Sequence, residues 1–80
     1  MINYEYYKVA DEIIKRLQNE GFANWAQKLD DAIAGGATGT EIFMALRFNL
    51  NKLKAEQKGI SKETLELIRD LIFHLNVALK

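Results

Sequence analysis

His74 is the only histidine among 80 residues, and there is no cysteine. An imidazole moves protons when a second group orients it, and a metal ion needs several ligands together. One histidine with dispersed carboxylates supplies neither. His74 falls between Leu71 and Leu75, at the margin of an apolar stripe, where it packs or donates a single hydrogen bond. The carboxylates come adjacent twice, as Asp11-Glu12 and Asp30-Asp31. Neighbouring helical residues diverge by about 100°, so neither pair converges on one substrate atom as acid and base would. Asp11 and Glu12 are matched by Lys15 and Arg16 one turn on. Asp30 and Asp31 are not so matched: Lys28 lies two and three residues before them, and no cation follows until Arg47. They are the candidate exposed acidic patch. The run Gly35-Gly36-Ala37-Thr38-Gly39-Thr40-Glu41 invites a phosphate-loop reading, but it lacks the lysine after glycine and follows a helical pattern where a strand is needed. It reads instead as a hinge and a helix start, with Thr38 and Glu41 at capping-box spacing. No catalytic constellation, metal set or cofactor motif emerges, and the chain reads as a non-enzyme.

Four periodic segments must carry these residues. Val9, Ala10, Ile13, Ile14 and Leu17 recur at helical spacing, and Gly21 marks the end of that helix. Phe22, Trp25, Ala26, Leu29 and Ile33 stripe a shorter second helix that stops at Gly35-Gly36, with Trp25 as a core anchor. After Thr38 come Ile42, Phe43, Leu46, Leu50 and Leu53, closed by Gly59. Ser61 caps a last helix bearing Leu65, Ile68, Leu71, Ile72, Leu75 and Leu79. There is no proline and no useful period-two alternation, so the expectation is an all-α protein: one domain over 1–80, a compact four-helix bundle with short loops.

Hydrophobic residues at 49% with 28% charged describe a chain that folds. Without cysteine there is no disulfide framework, and the N-terminal run Met1-Ile2-Asn3-Tyr4-Glu5-Tyr6-Tyr7 lacks the basic and apolar regions of a signal peptide. No apolar run is long enough for a membrane span, and a cytoplasmic location is expected. Residues 1–41 hold four basic and seven acidic side chains, and residues 42–80 hold seven basic and four acidic. The asymmetry reflects complementary helix faces or presents an acidic surface to a basic partner. Tyr4, Tyr6 and Tyr7 cannot all face a core, and tyrosine suits interfaces, which makes Tyr4 and Tyr7 candidate contacts. Met44 and Phe48 widen the third helix's apolar arc: either that helix is buried on two sides, or Met44 and Phe48 form a docking patch with Arg47. Cations are too dispersed, and the third helix too apolar outside, for direct nucleic-acid binding.

The run from Trp25 through Arg47, within a likeness spanning about residues 13 to 55, resembles the cognate immunity proteins of contact-dependent growth inhibition and related polymorphic toxin systems. The resemblance implies a bacterial protein that binds a toxin domain, often a nuclease, and covers its active site. No contact residue transfers from that family by motif. A second class fits the same features: a helical interaction or regulatory module, monomeric or weakly dimeric, that self-associates through Met44 and Phe48.

Overall fold

The computed structural model describes residues 3–80; Met1 and Ile2 of the N-terminal run lie outside the described residues. Four helices follow one another: α1 (Tyr6–Asn19), α2 (Ala23–Gly35), α3 (Gly39–Glu56) and α4 (Lys62–Ala78). Each directs one stripe inward, and the backbones pack as neighbours in the ring α1, α2, α3, α4 and back to α1, with the Tyr6 and Tyr7 rings of α1 reaching across to Phe43 of α3. The inward residues include Ala10, Ile13 and Leu17 from α1, Ala26 and Leu29 from α2, Leu46, Leu50 and Leu53 from α3, and Ile68, Leu71 and Leu75 from α4. These are the positions that the helical period selects. Truncating one such Leu or Ile to Ala should cost about 2–5 kcal/mol.

The α1–α2 connection closes α1 with a Schellman motif. Gly21 adopts φ +90°, its N–H donates to the Gln18 carbonyl at 3.2 Å, and the Phe22 N–H donates to the Leu17 carbonyl at 2.8 Å. Phe22 thus precedes α2 rather than belonging to it, and it packs against the core. The α3–α4 connection differs from the sequence expectation. Helix α3 ends at Glu56, Gln57 leaves it extended, and Gly59 (φ +85°) turns the chain within the linker so that Ile60 is buried. Phe22 and Gly59 lie close enough that a Cβ on Gly59 would sit 3.8 Å from the Phe22 ring. Both linkers therefore plug the same end of the bundle with a glycine followed by an apolar residue. Trp25 is partly buried and packs against the core from its edge: its indole N–H donates to Gln57 Oε1 at 3.1 Å, and Lys28 Nζ lies 4.5 Å from its ring.

At the other end, Gly36 has an ordinary φ of −80°. Its role is space. A Cβ there would overlap the Ile42 side chain and lie 3.1 Å from the Ile42 nitrogen. The capping box after it is half formed: Thr38 Oγ1 accepts the Glu41 N–H at 3.2 Å, while the Glu41 carboxylate lies by the Thr38 hydroxyl at 3.5 Å.

Helix α4 is capped differently. Ser61 Oγ accepts the Thr64 N–H at 3.3 Å, but the third helical position holds Thr64 in place of the Glu or Gln that would reach back to the cap's own N–H. Glu20, at the C-terminal end of α1, supplies that carboxylate from another helix. Glu20 Oε1 accepts the Ser61 N–H at 2.8 Å, and Oε2 accepts hydroxyl protons from Ser61 at 2.8 Å and Thr64 at 2.6 Å. Thr64 is fully buried, and among the described residues no buried side-chain nitrogen or oxygen lacks a partner. Thr64's hydroxyl, followed by Ser61's N–H, holds the Glu20 carboxyl below its ordinary value of 4.5.

Because the folded state holds this pKa below that of the unfolded chain, the stabilisation from Glu20 is complete above about pH 4.5 and is lost as pH falls through the depressed folded-state value. Glu20→Gln should cost about 1.5–3 kcal/mol in urea unfolding at neutral pH, and the gap to wild type should close in acid. A gap that persists at low pH would remove charge from the account. Gly36→Ala should destabilise by about 1–3 kcal/mol through overpacking against Ile42, read from the same unfolding curves.

Candidate interaction surface

The N-terminal segment is tied to α4 by aromatic and polar contacts. Tyr4's hydroxyl donates to Asp70 Oδ2 at 2.9 Å, and its ring stacks on His74 with centroids 3.7 Å apart. Tyr6 turns inward, with its ring 4.5 Å from that of Phe43 and its hydroxyl donating to the His74 carbonyl at 3.2 Å. His74 Nδ1 lies 2.9 Å from the backbone carbonyl of Asp70. A carbonyl only accepts, so Nδ1 carries the proton and is engaged within its own helix. Burial and the Asp70 hydrogen bond push the Tyr4 phenol well above its ordinary value of 10.0, the opposite of what a nucleophile or base requires. This titratable cluster therefore holds the chain in place. Of the two candidate tyrosines, Tyr4 is engaged in the fold and Tyr7 is 47% exposed. Among the described residues, no three of His, Cys, Asp and Glu come together as metal ligands, and no helix is long and apolar enough to cross a membrane.

Two surfaces are left. The first is the acidic side of α2. In residues 1–41 the cations are engaged locally: Lys8 with Glu5, Lys15 with Asp11, Arg16 with Glu12, and Lys28 over Trp25. Asp30 and Asp31 are exposed and have no ion pair among the described residues; Asp31 accepts only the Gln27 side-chain amide at 2.8 Å. The acids of this half without an ion pair among the described residues are Asp30, Asp31, Glu41 and Glu20, the last of them taken up by the cap of α4.

The second surface spans α3 and α4. Met44 and Phe48 are 53% and 65% exposed, so α3 is not buried on two sides. They flank an open groove along α3 that also involves Arg47, Asn51, Lys52 and Glu56. Arg47 Nη1 donates to Asn76 Oδ1 of α4 at 3.2 Å, which joins the two helices at the surface. Phe73 and Val77, 63% and 53% exposed, flank Asn76 at one-turn spacing just as Met44 and Phe48 flank Arg47. The sequence reading missed Phe73 and Val77. Their signal was available: the two lie four apart and off the Ile68–Leu71–Ile72–Leu75 stripe, as Met44 and Phe48 lie off theirs. Asp30 and Asp31 stand on α2 and Phe73 and Val77 on α4, two helices that do not pack on each other.

Compared with protein-family models, curated proteins and solved structures, the chain matches none.

Tyr4→Phe should lower stability by about 1–3 kcal/mol in thermal unfolding, since it deletes a hydrogen bond to a carboxylate. Its folded pKa is raised, so wild-type stability from this contact is complete below pH 10.0 and is lost as pH climbs through the higher folded value. Alkaline spectrophotometric titration of the native protein should show one late-ionising tyrosine, absent in Tyr4→Phe.

Proposed function

We propose that this chain is a non-enzymatic binding protein that neutralises a toxin domain, a nuclease in the reading that the sequence resemblance favours, by covering its active site. The observation that carries this reading is the Asp30–Asp31 pair, exposed on α2 without an ion pair among the described residues. Nucleases hold phosphates in basic clefts. Carboxylates presented to such a cleft match its potential and accelerate encounter. Tyr7, exposed near Phe43 with ring centroids 5.9 Å apart, adds apolar area with a polar tip for the same purpose.

The test pairs Asp30→Lys with Asp31→Lys and measures binding to nuclease toxin domains encoded beside this gene. The double variant should keep the helical circular dichroism spectrum and associate more slowly. It should lose about 2–5 kcal/mol of binding where the carboxylates are buried against toxin cations, or at most about 1 kcal/mol where they lie at the rim. Undiminished binding and cell protection by the variant would displace the contact from this face. Failure of the wild-type protein to bind any adjacent toxin would end the neutralisation reading.

A further inference from the structure

The outer face of α3 and α4 has an order of charges that makes it complementary to itself. Along α3, Glu41, Met44, Phe48 and Lys52 stand at spacings of three, four and four. At about 100° per residue they occupy one arc of roughly 80°, opposite the buried Leu46, Leu50 and Leu53. Along α4, Asp70, Phe73 and Val77, followed just past the helix end by Lys80, repeat the order acid, apolar, apolar, base at spacings of three, four and three; the three helical ones lie opposite the buried Ile68, Leu71 and Leu75, and Asp70 also accepts the Tyr4 hydroxyl. All eight residues are exposed. None of Arg47, Lys52, Arg69 and Lys80 has an ion pair among the described residues. The helices are joined by a short linker and run antiparallel, and the Arg47–Asn76 bond fixes their level. The charges therefore alternate around the rim, with Glu41 beside Lys80 at one end and Lys52 beside Asp70 at the other, while four apolar side chains fill the centre.

We infer that this face is an isologous interface for a second copy of the chain. A two-fold axis lying in the face and perpendicular to the helices sets α3 antiparallel on its counterpart and α4 on its own. The α3 sequence then places Met44 against Phe48 of the other copy and Glu41 against Lys52, each pair occurring twice. The α4 sequence places Phe73 against Val77 and Asp70 against Lys80. Midpoints near residue 46 on α3 and residue 75 on α4 lie almost at the level that the Arg47–Asn76 bond sets, so one axis serves both helices. This coincidence of charge order and level favours a second copy over a uniformly charged partner, which would find half of the rim repulsive. Helix α3, about 27 Å long, and its neighbour offer a face at the small end of the roughly 800 Å² per partner of a standard interface, which implies a weak, concentration-dependent dimer. The interface leaves Asp30 and Asp31 uncovered and does not depend on the toxin reading.

Sedimentation equilibrium over concentrations up to about 1 mM tests it, with circular dichroism confirming that each variant is folded. Wild type should move from 9.2 kDa toward twice that mass. Phe48→Glu with Phe73→Glu should remain monomeric. Lys52→Glu alone should raise the dimer dissociation constant about tenfold, since each dimer loses two ion pairs, and adding Glu41→Lys should restore it. A wild-type chain that stays monomeric at the highest concentration overturns the inference, as does one that stays monomeric yet co-sediments with phosphatidylserine-containing vesicles. So does a dimer that survives the double phenylalanine replacement. A charge-swapped double variant no tighter than Lys52→Glu alone overturns the pairing of α3 with α3.

Discussion

Glu20 closes the ring of helices. Sequence-adjacent helices are held together by short linkers, but α1 and α4 are the two ends of the chain and must be joined by side chains alone. The Glu20 carboxylate does this by taking the place of a missing cap residue: it accepts the Ser61 N–H and two hydroxyl protons, one of them from fully buried Thr64. A hydrogen bond to an ionised acceptor is stronger than one between neutral groups, and a carboxylate at a helix N-terminus also meets the positive end of the helix dipole. Without Glu20, the Ser61 N–H would lose its partner and the buried Thr64 hydroxyl would keep only Ser61 Oγ.

The far end of the α1–α4 seam is fastened with different chemistry. Tyr4 and Tyr6 reach from the N-terminal segment to Asp70 and the His74 carbonyl, with Tyr4's ring flat on the imidazole. The seam between the chain ends is thus pinned at both extremities, with Ala10, Ile13, Leu17, Ile68, Leu71 and Leu75 buried between. The only histidine and the buried threonine are accounted for by these two fastenings. The groups that most invite a catalytic reading, His74, Tyr4 and Glu20, are the ones that hold the architecture together.

The two exposed surfaces follow from how charge is distributed around the bundle. Helix α1 pairs its cations with its own acids one turn apart, which leaves α2 with the exposed carboxylates. Helices α3 and α4 hold no internal lysine or arginine ion pair among the described residues and carry exposed apolar residues between them. An acidic side and an apolar side with a charged rim are thus built into one small domain, on helices whose inner faces are fully packed and therefore rigid.

The sequence by itself determined the four helices, their inward stripes and the local caps at Gly21, Thr38 and Ser61, because each depends on periodicity or on residues within one turn of one another. It also marked Asp30 and Asp31 as unmatched, since intrahelical pairing is a local property. What only the tertiary structure decided are the contacts between residues distant in the chain. Glu20 completes the cap of α4 from 41 residues away, Gly36 is needed for space beside Ile42 and not for a hinge, and Trp25 comes to lie at the rim against Gln57. Met44 and Phe48 could equally have been covered by another helix. Their exposure, and their union with Phe73 and Val77 into one face, follow from which helices pack as neighbours, and no local period encodes that choice.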